Sequence, residues 1–287
     1  MKRTLLVLLV ALGASGAVST AWVAPVSSGS TTGSMTPDSP VASAPQGTTT
    51  AQENATEYPP GLSAEGVTDP LAFADAHRAT LRNTSYTVTA TYTMQRPNGT
   101  VITHTVTATR VAPGGSSYYA VLSASRSNES RTPGLAGYDI AVWANETVAV
   151  TARQDGDGDP TYRRTTRDRA PFQVDRQWEL LYSAVGTTDT AVVQRFERGE
   201  TTLFQVASTG RSGSPSAHHH RSRYGFVAVV DADGVVRSFQ QRYRTTFRDR
   251  PAVVSRTVQV TAVGNTTVER PDWYGQAVAN ATETTTA

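Results

Sequence analysis

The alternation of threonine with larger side chains constrains the fold of this chain more than any other feature. Between Tyr86 and Met94, Thr occupies every second position from 87 to 93, and Val or Ala or an aromatic residue lies between. Successive side chains of a β-strand point to opposite faces, so this period of two predicts a strand with one apolar and one polar face. Asn98-Gly99 predicts a turn, and Val101 to Val111 then returns as a second Thr-rich strand, which completes an antiparallel hairpin.

Similar segments recur along the rest of the chain. They predict strands at Ser117 to Ala124, Tyr138 to Ala144, Thr147 to Arg153, Asp189 to Glu197, Thr201 to Ser208, Phe226 to Val230 and Val235 to Phe247. Asp231-Ala232-Asp233-Gly234 predicts a hairpin turn between the last two. We expect about eleven antiparallel strands in total, more than one flat sheet holds comfortably, so the sheet should curl strongly or form a second layer.

A segment with a helical period precedes these strands. Thr68 is its predicted cap and Pro70 suits its first turn. Residues on one face follow at spacings of three and four: Phe73, Ala76, His77, Thr80 and Leu81. A histidine on such a face is more often a half-buried packing residue than a ligand or a base, so we interpret His77 in that way.

A second helical segment interrupts the strands. Asp175 is its predicted cap and Gly186 its end. The apolar positions between them are Trp178, Leu181, Tyr182 and Val185. The predicted fold class is therefore mainly β with two helices (α+β). We expect a strongly curled antiparallel sheet or half-barrel of about eleven strands, with the helices against its concave face.

The amino terminus has the layout of a secretory signal. Lys2 and Arg3 precede an uncharged apolar stretch from Leu5 to Val26, so residues 1–24 are predicted to be a signal peptide, or a signal anchor if they stay in the bilayer. Residues 25–57 are rich in Ser, Thr, Gly and Pro, which predicts a disordered tether. Residues 58–276 then form the predicted β-rich domain and residues 277–287 a disordered tail.

All seven asparagines of the chain lie in sequons, each followed after one non-proline residue by Ser or Thr. They are Asn54, Asn83, Asn98, Asn128, Asn145, Asn265 and Asn280. This pattern predicts glycan acceptors, although a Thr-rich chain also produces sequons by accident. If these residues are acceptors, the protein lies outside the cytoplasm, either secreted or held at the cell surface by its amino-terminal segment.

Composition argues against several classes of function. The chain contains no cysteine, which excludes disulfides, thiolate metal ligands and thiol nucleophiles. Once Lys2 and Arg3 are set aside, cations and carboxylates are equal in number, which argues against a nucleic-acid partner. We found no nucleophile motif, so we predict no catalytic residues and no enzymatic activity.

Two segments are candidate metal sites. Asp155-Gly156-Asp157-Gly158-Asp159 resembles the start of a calcium loop, but Pro160 occupies the position of the required Gly and Thr166 that of the bidentate Glu. His218-His219-His220 lies in a loop rich in Gly, Ser and Arg with no carboxylate nearby. We interpret both as surface segments and predict neither a metal nor another cofactor.

Several segments resemble a known family. They are Tyr58-Pro59-Pro60-Gly61-Leu62, Gly66-Val67-Thr68-Asp69-Pro70, Ala74-Asp75-Ala76-His77, Asn83-Thr84-Ser85-Tyr86-Thr87-Val88 and the closing stretch from Val263 to Tyr274. The chain is similar over residues 58 to 276 to uncharacterised secreted proteins and lipoproteins of halophilic archaea, and that resemblance implies no activity. The lipid-anchor Cys of many relatives is absent here. The expected architecture also resembles the half-barrel of bacterial lipoprotein carriers of the LolA and LppX type, which shelter lipid.

Aromatic residues on the predicted strands and helices are the candidate ligand-binding residues: Phe239, Tyr243, Phe247, Trp178 and Tyr182. The first three repeat every fourth residue on one strand and so share a sheet face. Such a face is commonly plain core, but together with Arg and Thr it would also line a groove for an amphiphile. The leading hypothesis is a non-enzymatic binding module for lipid-like ligands, and the alternative is a glycosylated surface protein with no small-molecule site.

Overall fold

The computed structural model describes residues 58–126, 137–172, 176–210, 222–280 and 282–283. The predicted leader, the tether, Asn54, Asn128, Asp175 and the three-histidine segment lie outside these ranges. Of the helices within them, none is long and apolar enough to cross a bilayer.

Three α-helices are present: α1 (Pro70–Arg82), α2 (Arg176–Val185) and α3 (Tyr274–Asn280). The strands are β1 (Leu62–Ser63), β2 (Gly66–Val67), β3 (Tyr86–Gln95), β4 (Val101–Val111), β5 (Tyr118–Arg126), β6 (Gly137–Ala144), β7 (Val148–Asp155), β8 (Thr161–Thr166), β9 (Thr190–Arg198), β10 (Thr201–Ser208), β11 (Ser222–Asp231), β12 (Val236–Phe247), β13 (Arg250–Thr261) and β14 (Thr282–Glu283). The alternating segments of the sequence are thus strands, usually within two residues of their predicted ends.

One large sheet contains every strand except β1 and β2, which pair with each other. Its order is β14-β8-β7-β6-β5-β4-β3-β13-β12-β11-β10-β9. Strands β3 to β13 pair antiparallel, and β14 joins β8 in parallel. The predicted mainly β fold with about eleven antiparallel strands is confirmed. The sheet is open, with β14 and β9 at opposite edges of the strands described, and its strong curl stays a prediction.

Helices α1 and α2 pack on one face of this sheet, which we call the inner face. Phe73 of α1 and Leu181 of α2 belong to the same buried cluster as Phe204 and Phe239 of the sheet. Helix α3 lies on the other face, where the Tyr274 ring meets the Trp143 ring edge to face with centroids 4.9 Å apart. The prediction of two helices was wrong in number, because this short helix is stabilised by tertiary contact with Trp143 and has little periodicity of its own. It covers residues 277–280 of the predicted tail.

The cap of α1 is Asp69 and not the predicted Thr68. Asp69 has extended backbone angles, and its Oδ1 accepts hydrogen bonds from the amides of Leu71 and Ala72, both at 3.0 Å. Because Pro70 occupies the first helical position, the capping residue must be the one directly before it. The predicted end of α2 is confirmed, since Gly186 follows Val185 immediately and donates its amide to the Tyr182 carbonyl at 2.9 Å.

The turn between β11 and β12 fits against α1. Gly234 has a φ of 82°, and a Cβ at this position would lie 2.9 Å from the Cβ of Ala76. The conformation and the close approach both require glycine. This contact places the β11–β12 hairpin, predicted from the sequence, directly under the first helix.

Candidate functional site

A cavity of about 570 Å³ opens between the middle of the inner face and helix α2. We call it the groove. Its lining comes from β3, β4, β5, β12, β13, α2 and Phe172 in the segment before α2. The residues are Tyr86, Val88, Ala90, Thr91, Tyr92, Thr105, Thr107, Thr109, Val111, Leu122, Phe172, Gln177, Leu180, Tyr243, Arg256 and Val258. This volume is within the range of small-ligand sites.

The floor of the groove combines a row of hydroxyls with an apolar row. In the register of β3 and β4, Val88 pairs with Thr109, Ala90 with Thr107 and Tyr92 with Thr105. The hydroxyls of these three threonines make no hydrogen bond with another residue in the described part of the chain. They are half-buried. The floor therefore offers both methyl groups and free hydroxyls to whatever occupies it.

The groove follows strand β3. Tyr86 at one end is 5% exposed, whereas Tyr92 at the other end is partly exposed. Six residues of strand separate them, which corresponds to about 20 Å at roughly 3.3 Å per residue. The groove is thus elongated, with one buried and one more open end.

Arg256 is the charged residue among the described residues that line the groove. It pairs in register with Tyr92 of β3 and Gln241 of β12, so its side chain leaves the sheet on the inner face. Its guanidinium carbon lies 5.6 Å from the centre of the Tyr92 ring, a cation–π contact. The lining thus combines aliphatic and aromatic side chains, hydroxyls and a single cation.

His77 connects α1, α2 and the sheet beside the groove. It is 2% exposed, and its Nδ1 accepts a hydrogen bond from the Val236 amide at 3.1 Å. Nε2 lies 3.2 Å from Oε1 of Gln177, and because Nδ1 is an acceptor, Nε2 must carry the proton and donate to that oxygen. Burial lowers the pKa of His77 from 6.5 to about 4, the Gln177 hydrogen bond opposes this shift, and the charge of Arg237 adds to it. The histidine is therefore neutral at pH 7, as the packing interpretation requires.

Phe172 is held in the groove wall by Tyr118. The phenol of Tyr118 donates to the Phe172 carbonyl at 3.0 Å. Burial raises the pKa of Tyr118, while the Arg167 guanidinium 4.2 Å from its ring acts in the opposite direction. The phenol thus keeps its proton at neutral pH and remains a donor.

The predicted ligand residues lie in three different places. Tyr243 lines the groove. Phe239 is 1% exposed and belongs to the buried cluster, where its ring centroid lies 5.5 Å from that of Phe226. Phe247 is at the end of β12, with the Arg96 and Arg248 guanidiniums over its ring.

Trp178 and Tyr182 stack on each other on helix α2 instead of lining the groove, and Tyr182 is 43% exposed. Their rings are nearly parallel with centroids 5.2 Å apart. The indole nitrogen of Trp178 donates to Oδ1 of Asp75 at 2.8 Å, and Arg78 covers the indole at 4.9 Å. Trp178 therefore holds α2 against α1.

Sequence reasoning missed Arg256 and the threonines of β4 as groove residues. The Thr-rich alternation of β4 was visible, but the hydroxyl face could not be assigned to the interior. The signal for Arg256 is its position between Val254 and Val258, where a cation interrupts apolar alternation. Strand β13 had no predicted bounds, so this interruption could not be assigned to a sheet face.

The acidic turn and five of the sequon residues are the remaining candidate sites within the described ranges. Asp155 of the acidic turn forms an ion pair with Arg153, Nη2 to Oδ1 at 2.9 Å. Across the described ranges, no three His, Asp or Glu side chains lie close enough together to hold a metal ion. Of the sequon residues, Asn145 is half-buried, and those that are exposed are Asn83, Asn98, Asn265 and Asn280.

Comparisons with known proteins give distant matches. A DUF1329 family protein from Desulfovibrio piger covers 74% of this chain and 97% of its own, with 12% identity and a TM-score of 0.27. The match to a putative outer membrane lipoprotein-sorting protein domain from Vibrio parahaemolyticus covers 73% of this chain and 97% of that domain, with 8% identity and a TM-score of 0.26. The match to Rv2717c from M. tuberculosis covers 65% of this chain and 97% of Rv2717c, with 7% identity and a TM-score of 0.20.

No protein-family model and no curated protein matches the chain. The resemblance to secreted proteins of halophilic archaea therefore stays a prediction. Structural neighbours at such low TM-scores carry no argument about a ligand, so the function of the chain must be argued from the groove.

Proposed function

We propose that the protein binds a lipid-like, amphiphilic molecule in the groove and performs no chemistry on it. The observation that carries this proposal is the unfilled volume of about 570 Å³ on a sheet face that is otherwise closely packed. A protein interior is normally filled to the density of an organic crystal, so an unfilled stretch of inner face needs a reason.

The chemistry of the floor supports an amphiphile. Val88, Ala90 and Leu122 offer apolar contact along the length of the groove. Thr105, Thr107 and Thr109 occupy inward positions where Val would fill a core equally well, and their hydroxyls are costly there unless they meet water or a ligand. A molecule with an apolar chain and a polar group satisfies both rows.

A tryptophan in the centre of the groove tests this proposal. Ala90→Trp replaces the residue that pairs with both Thr107 and Val258, so the indole would occupy the volume. Ala108→Trp is the matched control, because Ala108 is an exposed residue of β4 on the opposite face. We expect Ala90→Trp to weaken binding of a neutral naphthylamine fluorophore by about tenfold or more and the control to leave it unchanged. Mass spectrometry of organic extracts should recover lipid from the wild type and less from Ala90→Trp.

Equal fluorophore binding by both variants, together with extracts free of lipid, would contradict the proposal. It would favour the alternative hypothesis of a glycosylated surface protein with no small-molecule site. Circular dichroism and thermal unfolding of both variants exclude misfolding as the cause of lost binding.

We further propose that the protein acts outside the cytoplasm, tethered or secreted through its amino-terminal segment. Support comes from the signal-like residues 1–24 and from the exposure of sequon residues such as Asn98, whose Oδ1 accepts from the Thr100 amide in the turn between β3 and β4. We expect protease added to intact cells to cleave the protein, and Asn98→Gln to lower its mass by one glycan. A protease-resistant cytoplasmic protein of bare-chain mass would overturn this proposal.

A further inference from the structure

Arg256 is a half-buried cation in the lining of the groove. It lies on β13 between Val254 and Val258, which are 1% and 8% exposed, so its neighbours on the inner face are core residues. No carboxylate of the described residues pairs with it, and its guanidinium lies over the π face of Tyr92. Withdrawing a cation from water is costly unless an anion accompanies it.

The two residues that pair with Arg256 in the register of the sheet, Gln241 and Tyr92, are both uncharged. Gln241 is 7% exposed and turns its amide toward the Tyr224 hydroxyl at 2.9 Å. Thr105, opposite Tyr92, adds a hydroxyl with no partner in the described chain. A planar guanidinium with no carboxylate paired to it is the group that recognises carboxylate or phosphate oxygens, through two parallel hydrogen bonds.

We infer that the groove selects amphiphiles with an anionic oxygen headgroup, and that Arg256 binds this headgroup. This inference rests on the proposed function and adds the class of ligand. Carboxylate and phosphate headgroups share the required chemistry. A neutral or cationic headgroup leaves the guanidinium unpaired and is disfavoured.

The same geometry gives the ligand an orientation. Arg256 and Tyr92 lie toward the more open end of the groove, while Tyr86 and Val111 close the other end at 5% and 1% exposure. The headgroup therefore lies at the open end beside Arg256. The hydrocarbon chain runs along β3 toward Phe172.

Competition between amphiphiles with one chain length tests the selectivity in the wild-type protein. The neutral naphthylamine fluorophore is bound first, and each of four competitors is then added to displace it: dodecanoate, dodecyl phosphate, dodecanol and dodecyltrimethylammonium. We expect one or both anions to bind about tenfold more tightly than dodecanol and the cation to bind most weakly. The ratio of the two anions distinguishes a carboxylate from a phosphate ligand. Added salt should weaken anion binding and leave dodecanol binding almost unchanged.

The variant Arg256→Gln assigns the preference to one side chain. Its matched control is Arg242→Gln, because Arg242 is an exposed residue of the neighbouring strand, on the opposite face beside Gln241. We expect Arg256→Gln to remove the preference for anions while dodecanol binding persists, and Arg242→Gln to behave as the wild type.

The outcomes separate this inference from the proposed function. If no amphiphile displaces the fluorophore from the wild type, both are overturned. If dodecanol and the anions bind equally, or if Arg256→Gln keeps the preference, the groove binds amphiphiles but the inference about Arg256 is wrong. The wild-type ranking decides the selectivity even if Arg256→Gln fails to fold.

Discussion

The two halves of the inner face are built from the same alternating pattern and differ in what covers them. Under α1, the side chains of β10, β11 and β12 form a filled core in which Phe204 and Phe239 are at most 1% exposed. A void of about 10 Å³ lies near His77, about the size of one water. Across β3, β4 and β13, the same face borders the groove of about 570 Å³.

The boundary between the halves is narrow. Gln177, Leu180 and Val258 border both the small void and the groove. Strand β12 crosses it, with Phe239 on the filled side and Tyr243 on the open side. The difference teaches that buried large aromatic residues accompany a filled core, whereas the row of inward threonines borders the open volume.

The largest effect should come from truncating an aromatic residue of the filled half. Phe239→Ala leaves a cavity among closely packed rings, so we expect it to lower the free energy of unfolding by about 3 to 5 kcal/mol. Tyr243→Ala, four residues along the same strand face, should cost less than about 2 kcal/mol because its ring already borders open volume. Urea unfolding of both variants measures the contrast. Equal losses would remove the distinction between the halves.

Acid should destabilise the filled half through His77. The folded pKa is lowered from 6.5 to about 4, so as pH falls the unfolded chain binds a proton first. Stability due to the neutral imidazole is therefore full above pH 6.5 and is lost progressively toward pH 4, by about 3 kcal/mol in total.

The variant His77→Asn isolates this effect, because its amide oxygen can accept from the Val236 amide but does not titrate. We expect the difference in unfolding free energy between wild type and His77→Asn to shrink as pH falls from 7 to 4. A difference that is independent of pH would show that His77 has an ordinary pKa. Binding of the fluorophore by the wild type at both pH values shows whether loss of the Val236 contact on protonation of Nδ1 also reaches the groove.

The cap of α1 should have a smaller effect, confined to the filled half. Asp69→Ala removes the acceptor for the Leu71 and Ala72 amides, so we expect a loss of about 1 kcal/mol. Fluorophore binding should not change, because α1 contributes no lining residue to the groove. Thr68→Ala is the control and should cost less than half as much. A larger loss for Thr68→Ala than for Asp69→Ala would show that Thr68, the residue predicted from the sequence, caps the helix.

The smallest effect is expected on the open floor. Thr107→Val keeps the shape of the side chain and removes a hydroxyl that has no hydrogen-bond partner among the described residues. The free energy of unfolding should therefore change by less than about 0.5 kcal/mol. Thr80→Val, whose hydroxyl donates to the Asp233 carbonyl at 2.9 Å, should cost about 1 kcal/mol. Thermal unfolding of the two variants measures this difference. A large loss for Thr107→Val would mean that its hydroxyl has a structural partner.

Most strands were predictable because alternation is a local property. Val101–Val111 and Thr201–Ser208 match their predicted bounds, and the hairpin turn before Val236 was read from Asp and Gly. Strands β8 and β13 received no bounds, since β8 is rich in Arg and β13 follows β12 after only two residues. Helix α3 was missed because Trp143, far away in sequence, stabilises it.

The candidate site was predictable only in character. An apolar face mixed with Arg and Thr was expected, and Tyr243 was one of its named residues. The other four share that aromatic character but lie elsewhere: Phe239 in the core, Phe247 at a strand end, Trp178 against α1 and Tyr182 exposed on α2. Composition cannot separate these environments, because each stabilises an aromatic ring.

The sequence by itself determined the class of fold, the alternation of faces and the positions of most turns, because these depend on neighbours a few residues apart. The tertiary structure alone decided that β13 pairs with β3, which brings Arg256 beside Tyr92. It also decided that α1 fills one half of the inner face while the other half stays open. Those outcomes depend on contacts between opposite ends of the domain, and the free energy of such contacts arises from packing that no local pattern encodes.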